Sequence, residues 1–185
     1  LCPISLYAET KVAAERELLD GASDGLPAVT ALRFATAFGL SPRMRFDLTV
    51  NEFTMELLIK RKLAVYGEQF WRPYIHVRDI ARAIALVISS PLEKVAGRAF
   101  NVGDTGENYR KGDVVDLICS QLDIPVDIEY IQKDEDPRDY RVSFEKIKLE
   151  LGFDITRSLE YGVLEVMDVV SQGVITDFNN PYYRN

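Results

Sequence analysis

Apolar residues recur along this chain with two different periods, and the switching between them predicts helices alternating with strands. Residues 5–20 are rich in Ala, Glu, Lys and Leu, which predicts a helix with Leu6, Ala13 and Leu18 on a buried face, stopped by Gly21 and Gly25. Residues 28–34 are apolar and β-branched, the composition of a buried strand entered from a turn at Pro27. Residues 35–46, broken by Gly39 and Pro42, read as a loop. Asp47 is positioned to cap a helix with Val50, Phe53, Leu57 and Leu58 on one face, running to about Lys60.

Short strands are predicted at residues 63–66, closed by Gly67, and at 73–77. A helix beginning at Asp79 carries Ile80, Ala83, Ile84 and Val87 at helical spacing and ends at Ser89, Ser90 and Pro91. A strand at 99–102, a helix at 111–122 with Val114, Val115 and Ile118 inward, and an alternating strand at 127–131 follow. Residues 132–141 are dense in charge and read as a solvated loop; helices at 144–151 and 158–172 precede a polar tail. Strands alternating with helices imply an α/β fold with mainly parallel pairing.

Composition narrows the classes. A chain of 185 residues with 47% hydrophobic content builds one domain with a core. No apolar run approaches the roughly 18 residues of a membrane span, and the opening Leu-Cys-Pro lacks the regions of a signal peptide, so a soluble, cytoplasmic protein is expected, with no membrane partner. Two cysteines, Cys2 and Cys119, and one histidine, His76, supply neither a disulfide framework nor a metal-ligand cluster. A net charge of -7 argues against a nucleic-acid partner, although a few local arginines suffice to bind an anion. The chain opens without methionine and without strands ahead of its first helix, and we expect it to be a fragment.

Three features carry candidate chemistry. Tyr7 and Lys11 stand four residues apart, which stacks them on one helix face. An ammonium beside a phenol favours the phenolate, the form that takes a proton from an alcohol. Tyr-x-x-x-Lys is a loose pattern, however, and alone it also fits an ordinary exposed helix. The cluster Gly103-Asp104-Thr105-Gly106 follows a strand but lacks the G-x-G-x-x-G spacing, so it reads as a turn. Arg43 and Arg45 fit solvated charge equally well.

Several stretches, in order, resemble the C-terminal half of the extended short-chain dehydrogenase/reductases, in particular the NAD-dependent nucleotide-sugar epimerases and dehydratases. They are residues 3–11, Leu32-Arg33-Phe34-Ala35-Thr36-Ala37-Phe38-Gly39, residues 41–51, Val65-Tyr66-Gly67, residues 72–79, Phe100-Asn101-Val102-Gly103 and residues 146–152. The resemblance covers nearly the whole chain. It implies that residues 1–185 form the C-terminal part of a Rossmann-type enzyme: the active-site helix, the last sheet strands and the sugar-nucleotide-binding subdomain, with the NAD-binding N-terminal half absent.

By the same resemblance Tyr7 is the catalytic base and Lys11 its partner, both reaching the nicotinamide ribose, with Phe34 also at the cofactor. Thr36, where many members have Asn, and Asn51 fall at the substrate's phosphates, and Val65 and Tyr66 lie along the base. Arg72 matches the arginine that grips the diphosphate; a surface ion pair is its alternative. A second arginine is usual before the helix at Lys146, but this chain has Asp134 to Asp136 there, so Arg138 or Arg141 would substitute, unless both merely neutralise their acidic neighbours. His76 aligns with a structural position before a helix.

The expected activity is hydride exchange with NAD through a 4-keto sugar, acting on a nucleotide-diphosphate sugar, in a homodimer paired through helices that include the Tyr7/Lys11 helix. The alternative is a catalytically inactive truncated module that folds, dimerises and at most binds a nucleotide sugar weakly. For the residues of this chain alone, inactivity is the expectation.

Overall fold

The computed structural model describes residue 3 and residues 5–20, 28–136 and 139–185. Its helices are α1 (Leu6–Asp20), α2 (Thr49–Met55), α3 (Val77–Ser89), α4 (Leu92–Val95), α5 (Lys111–Cys119), α6 (Glu145–Leu151) and α7 (Leu159–Ser171). Its strands are β1 (Thr30–Phe34), β2 (Thr36–Phe38), β3 (Lys62–Tyr66), β4 (Trp71–His76), β5 (Arg98–Val102), β6 (Asn108–Arg110) and β7 (Asp127–Ile131). Three strand pairs are parallel, β1 with β5, β2 with β4 and β3 with β7, and β6 adds antiparallel to β4. The expected α/β architecture with mainly parallel pairing is therefore present.

The segment expected as a loop after residue 34 instead holds β2. Chain direction barely changes there, because the Ala35 amide donates to the Val102 carbonyl at 3.1 Å and continues the β1–β5 ladder before β2 turns to pair with β4. Ala35 is buried at this exchange of neighbours. β1 itself is only partly buried, against the expectation of a fully buried strand, because among the described residues it has a single strand neighbour.

α1 also departs from expectation. Ser5 Oγ accepts from the Ala8 amide at 3.2 Å and so starts the helix, but none of its residues is buried, and Leu6, Ala13 and Leu18 are all exposed. At 3.6 residues per turn, positions 13 and 18 lie about 140° apart around the axis, so the three never shared one face. An ion pair between Glu15 and Arg33 ties α1 to β1.

α2 begins at Thr49 with Leu48 in the capping position and no side-chain cap. Asp47 does not cap it; both its carboxylate oxygens accept from Arg45, each at 2.7 Å. α2 passes into a π-helical turn over Glu56–Lys60. α3 starts two residues earlier than predicted, with His76 Nδ1 accepting from the Arg78 amide at 3.2 Å. Asp79, fully buried, instead accepts from the Thr156 and Arg157 amides and from Arg82, which binds α3 to the approach of α7. α4 and β6, both very short, were not predicted.

Three apolar clusters make the interior. One joins α2, β3, β4, α5 and α7 through residues such as Phe38, Leu57, Tyr74, Val115 and Val163. A second lies under β5 and α6 around Phe100, Phe144 and Phe153. The third packs Met44, Phe46 and Met55 against the C-terminal half of α7.

Candidate functional site

A polar cavity of about 400 Å³ opens between α2, β3 and the start of β4, and Tyr66, Arg72 and Lys111 line it together with Asp47, Glu52 and Glu56. Each wall follows from local structure. Tyr66 ends β3 on its exposed face, where alternate residues Leu63 and Val65 point into the core. Glu52 and Glu56 are four residues apart on α2 and its continuation, one above the other. Lys111 is the first residue of α5, and its ammonium donates to the Tyr66 carbonyl at 2.9 Å.

The charged groups divide between two sides. Arg45 holds the Asp47 carboxyl down at about 2. Glu56 pairs with Lys60 at 2.5 Å, and burial pushes the Glu52 carboxyl above its ordinary value. Opposite them, the Arg72 guanidinium meets the Asp136 carboxylate at 2.7 Å, with both side chains almost wholly out of solvent. Lys111 reaches the same carboxylate at 3.5 Å. One Arg72 nitrogen also donates to the Trp71 carbonyl at 2.7 Å, and the guanidinium lies 5.9 Å from the Tyr140 ring centre. Removing one member of a buried pair of this kind costs about 3–5 kcal/mol, because the remaining charge is left uncompensated.

The other candidates are spread around the molecule. Tyr7 and Lys11 share a face of α1, the ammonium 5.6 Å from the ring centre, and Tyr7 is 72% exposed. Phe34, at the end of β1, lines a second cavity of about 290 Å³ with Pro73, Asn101 and Tyr140. That cavity sits where the chain exchanges β5 for β4, at the carboxyl end of a strand, the place where open parallel sheets bind ligands. Thr36 is half-buried in β2 opposite Tyr74. Asn51 is buried, and its Oδ1 accepts from the Gly39 amide at 3.0 Å. The Val65 side chain is enclosed in the core, which leaves its backbone alone near the cavity beside Tyr66.

Arg138 lies outside the described residues. Arg141 stands 4.9 Å from the Trp71 ring centre, and Arg110 covers the same ring at 5.0 Å, so the indole is held between two guanidinium groups. Arg141 borders a different cavity, beside Thr105 and Asn108. Arg43, for which solvated charge was one of two readings, is exposed and donates to the Tyr182 and Arg184 carbonyls at 2.7 and 3.1 Å.

His76 is fully buried. Its Nδ1 accepts from Arg78, so its Nε2 carries the proton and donates to Glu165 at 2.8 Å. Glu165 also accepts from the Leu40 amide at 2.8 Å, which makes the pair a buckle between α7 and the chain after β2.

The structure brings Tyr66 and Arg72 into one cavity and sets Lys111 and Asp136 beside Arg72, two residues that the sequence did not single out. Lys111 reads as an ordinary helix-starting residue, and Asp136 was hidden in an acidic run. Among the described residues no cluster of His, Cys, Asp and Glu could hold a metal ion, and no helix is long and apolar enough to cross a membrane.

Comparison with known proteins adds a lineage to this geometry. The model of the NAD dependent epimerase/dehydratase family matches residues 1–103. The chain is 26% identical over 165 residues to the UDP-glucose 4-epimerase of Corynebacterium glutamicum, covering 82% of this chain and 50% of that protein. It is 28% identical over 176 residues to the UDP-glucose 4-epimerase of Bacillus subtilis, covering 83% and 50%. Among solved structures, dTDP-glucose 4,6-dehydratase from Bacillus anthracis in complex with NAD matches with a TM-score of 0.78 at 26% identity, covering 94% of this chain and 54% of that one. The chain thus spans about half the length of the relatives it matches.

Proposed function

The chain belongs to the NAD-dependent epimerase/dehydratase family, and from that premise we propose that it supplies the sugar-nucleotide pocket and the proton-transfer pair of an NAD-dependent nucleotide-sugar epimerase or dehydratase. The observation that carries this reading is the meeting of Tyr66 and Arg72, both expected at the sugar nucleotide, in one cavity of about 400 Å³. A planar guanidinium bonds two phosphate oxygens at once and remains charged at any biological pH, which suits Arg72 to a diphosphate. Tyr66 offers an exposed ring beside it for the base.

The residues present fit one end of NAD. A phenol and an ammonium on one helix face are suited to a ribose diol, whereas the sequence holds no G-x-G-x-x-G turn to take a pyrophosphate. NAD, when bound, accepts a hydride from the sugar carbon and can return it. In this reading Tyr7 takes the proton of the sugar hydroxyl as that carbon becomes the 4-ketone, and later gives it back. Lys11 stands beside the phenol on the same helix face and donates to the ribose. Phe34 bounds the nicotinamide side, Thr36 and Asn51 face the phosphates, and the Val65 backbone follows the base. Epimerisation and dehydration both proceed from the same ketone.

We further propose that the intact protein is a homodimer paired through α1, whose Leu6 and Leu18 are 76% and 52% exposed. The test of the catalytic reading is Tyr7→Phe in the intact protein. Turnover of a nucleotide sugar falls by about 10²–10⁴-fold, the usual contribution of a general base, while nucleotide-sugar binding measured by calorimetry persists. Near-normal turnover overturns the role of Tyr7.

A further inference from the structure

The Arg72 side of the cavity holds a resident anion. Asp136 reaches it from the charged segment between β7 and α6, and its carboxylate is 1% exposed between two cations from different elements, Arg72 of β4 and Lys111 of α5. The two cations arrive by different routes. Arg72 is fixed through its bond to the Trp71 carbonyl, and Lys111 through its bond to the Tyr66 carbonyl and its position 5.9 Å from the Phe70 ring centre. Each cation therefore has a backbone partner besides Asp136.

We propose that Arg72 and Lys111 together form the cationic grip for the diphosphate of the nucleotide sugar, and that Asp136 is a built-in counter-anion which the phosphate displaces. The inference rests on the functional reading given above. It deepens that reading in two ways: Lys111 adds a second cation to Arg72, and the acidic segment becomes a competitor of the substrate.

Charge and chemistry both support the exchange. Two cations from different elements face this carboxylate, and a phosphate offers more acceptor oxygens than a carboxylate to the same donors. The carboxylates of the opposite wall do not cancel these cations. Asp47 and Glu56 are each paired, with Arg45 and Lys60, and Glu52, whose carboxyl burial raises, stands on α2. Acceptors at that end suit the hydroxyl groups of a ribose or hexose. The cavity is thereby polarised along its length as a nucleoside diphosphate is, with diphosphate toward Arg72 and Lys111 and hydroxyls toward α2.

Binding of UDP to the intact protein, followed by calorimetry at fixed ionic strength, tests the exchange. Wild-type protein binds UDP. Asp136→Asn keeps an oxygen acceptor for Arg72 but removes the competing charge, and tightens UDP about tenfold. Lys111→Met weakens it by about the same factor, whereas Lys111→Arg restores most of the affinity. Circular dichroism melts of all variants separate a binding effect from misfolding.

Several results would overturn the proposal. If Asp136→Asn weakens UDP as Lys111→Met does, with an unchanged melt, Asp136 is an organiser of the site and not a competitor. If Lys111→Met leaves the affinity unchanged, Lys111 is no part of the grip. A wild-type protein that binds no nucleoside diphosphate overturns the functional reading itself, and this inference with it.

Discussion

Burial pushes the Glu107 carboxyl up to about 7, and the charge of Asp104 adds to the effect, while bonds from the Leu159 amide and the Tyr109 hydroxyl oppose it. The unfolded carboxyl titrates near 4.3. Between these values the folded state keeps a proton that the unfolded state has lost, so stability falls as pH rises through that window. Glu107→Gln retains an acceptor for Leu159 and removes the titration. Melting of the variant therefore changes less between pH 5 and pH 8 than that of the wild type, and its advantage appears at the upper end; parallel pH dependence for both proteins would refute this.

What the sequence disclosed at this scale depended on distance along the chain. Arg72 and Tyr66 stood in recognisable local stretches. Asp136 lies 64 residues from Arg72 and 25 from Lys111 in sequence, so only the fold makes them partners. Asp47 shows the reverse error. It has the right chemistry and position for a helix cap, yet a cation two residues before it offered both bonds at once.

Among elements, α7 packs against α2, β4 and α5. Its Ser158 accepts from the Tyr161 amide at 3.2 Å, and its interior residues enter two of the apolar clusters. Gly162 lets it approach β2 and β4 closely, since a β-carbon there would lie 2.2 Å from Phe38 Cε2 and 3.1 Å from His76 Cδ2. Alanine gains about 1 kcal/mol over glycine in helix propensity, but forcing a methyl into a packed interior costs about 1–3 kcal/mol. Phe38 is 2% exposed and His76 is anchored at both nitrogens, so neither yields easily. With both neighbours fixed the cost lies at the upper end of that range, so Gly162→Ala is expected to destabilise the protein by about 2 kcal/mol net in a denaturant titration; a variant as stable as wild type would show that the ring of Phe38 moves freely.

The long elements were legible because their apolar residues repeat over several turns, as Val114, Val115 and Ile118 do in α5. The short ones were not. β2 and β6 have three residues each and α4 has four, too few to display a period, and the neighbours they pair with decide them. α1 was legible as a helix but not in its burial: it is helical by propensity, and its apolar side chains are not arranged on one stripe.

For the whole molecule, an α/β architecture with mainly parallel pairing could be read from the order of elements and its Rossmann type from the family resemblance, while the gathering of the site could not. Tyr7 and Lys11 were the most conspicuous pair in the sequence and stand on the most exposed helix. The homodimer proposed above gives that helix a partner. Sedimentation of the intact protein should return twice the monomer mass, and Leu18→Glu should shift the equilibrium toward monomer. A wild-type monomer at micromolar concentration would sink the proposal.

Trp71, the one tryptophan of this sequence, adjoins the proposed exchange through its backbone. Its amide donates to Asp139 at 2.8 Å, its carbonyl accepts from Arg72 and from the Tyr140 amide, and Arg141 covers its ring. Every one of these contacts leads to Arg72 or to the segment that carries Asp136. The chain is therefore built with an intrinsic fluorophore at the edge of its own anion site, and the wavelength and intensity of its emission record where that segment lies.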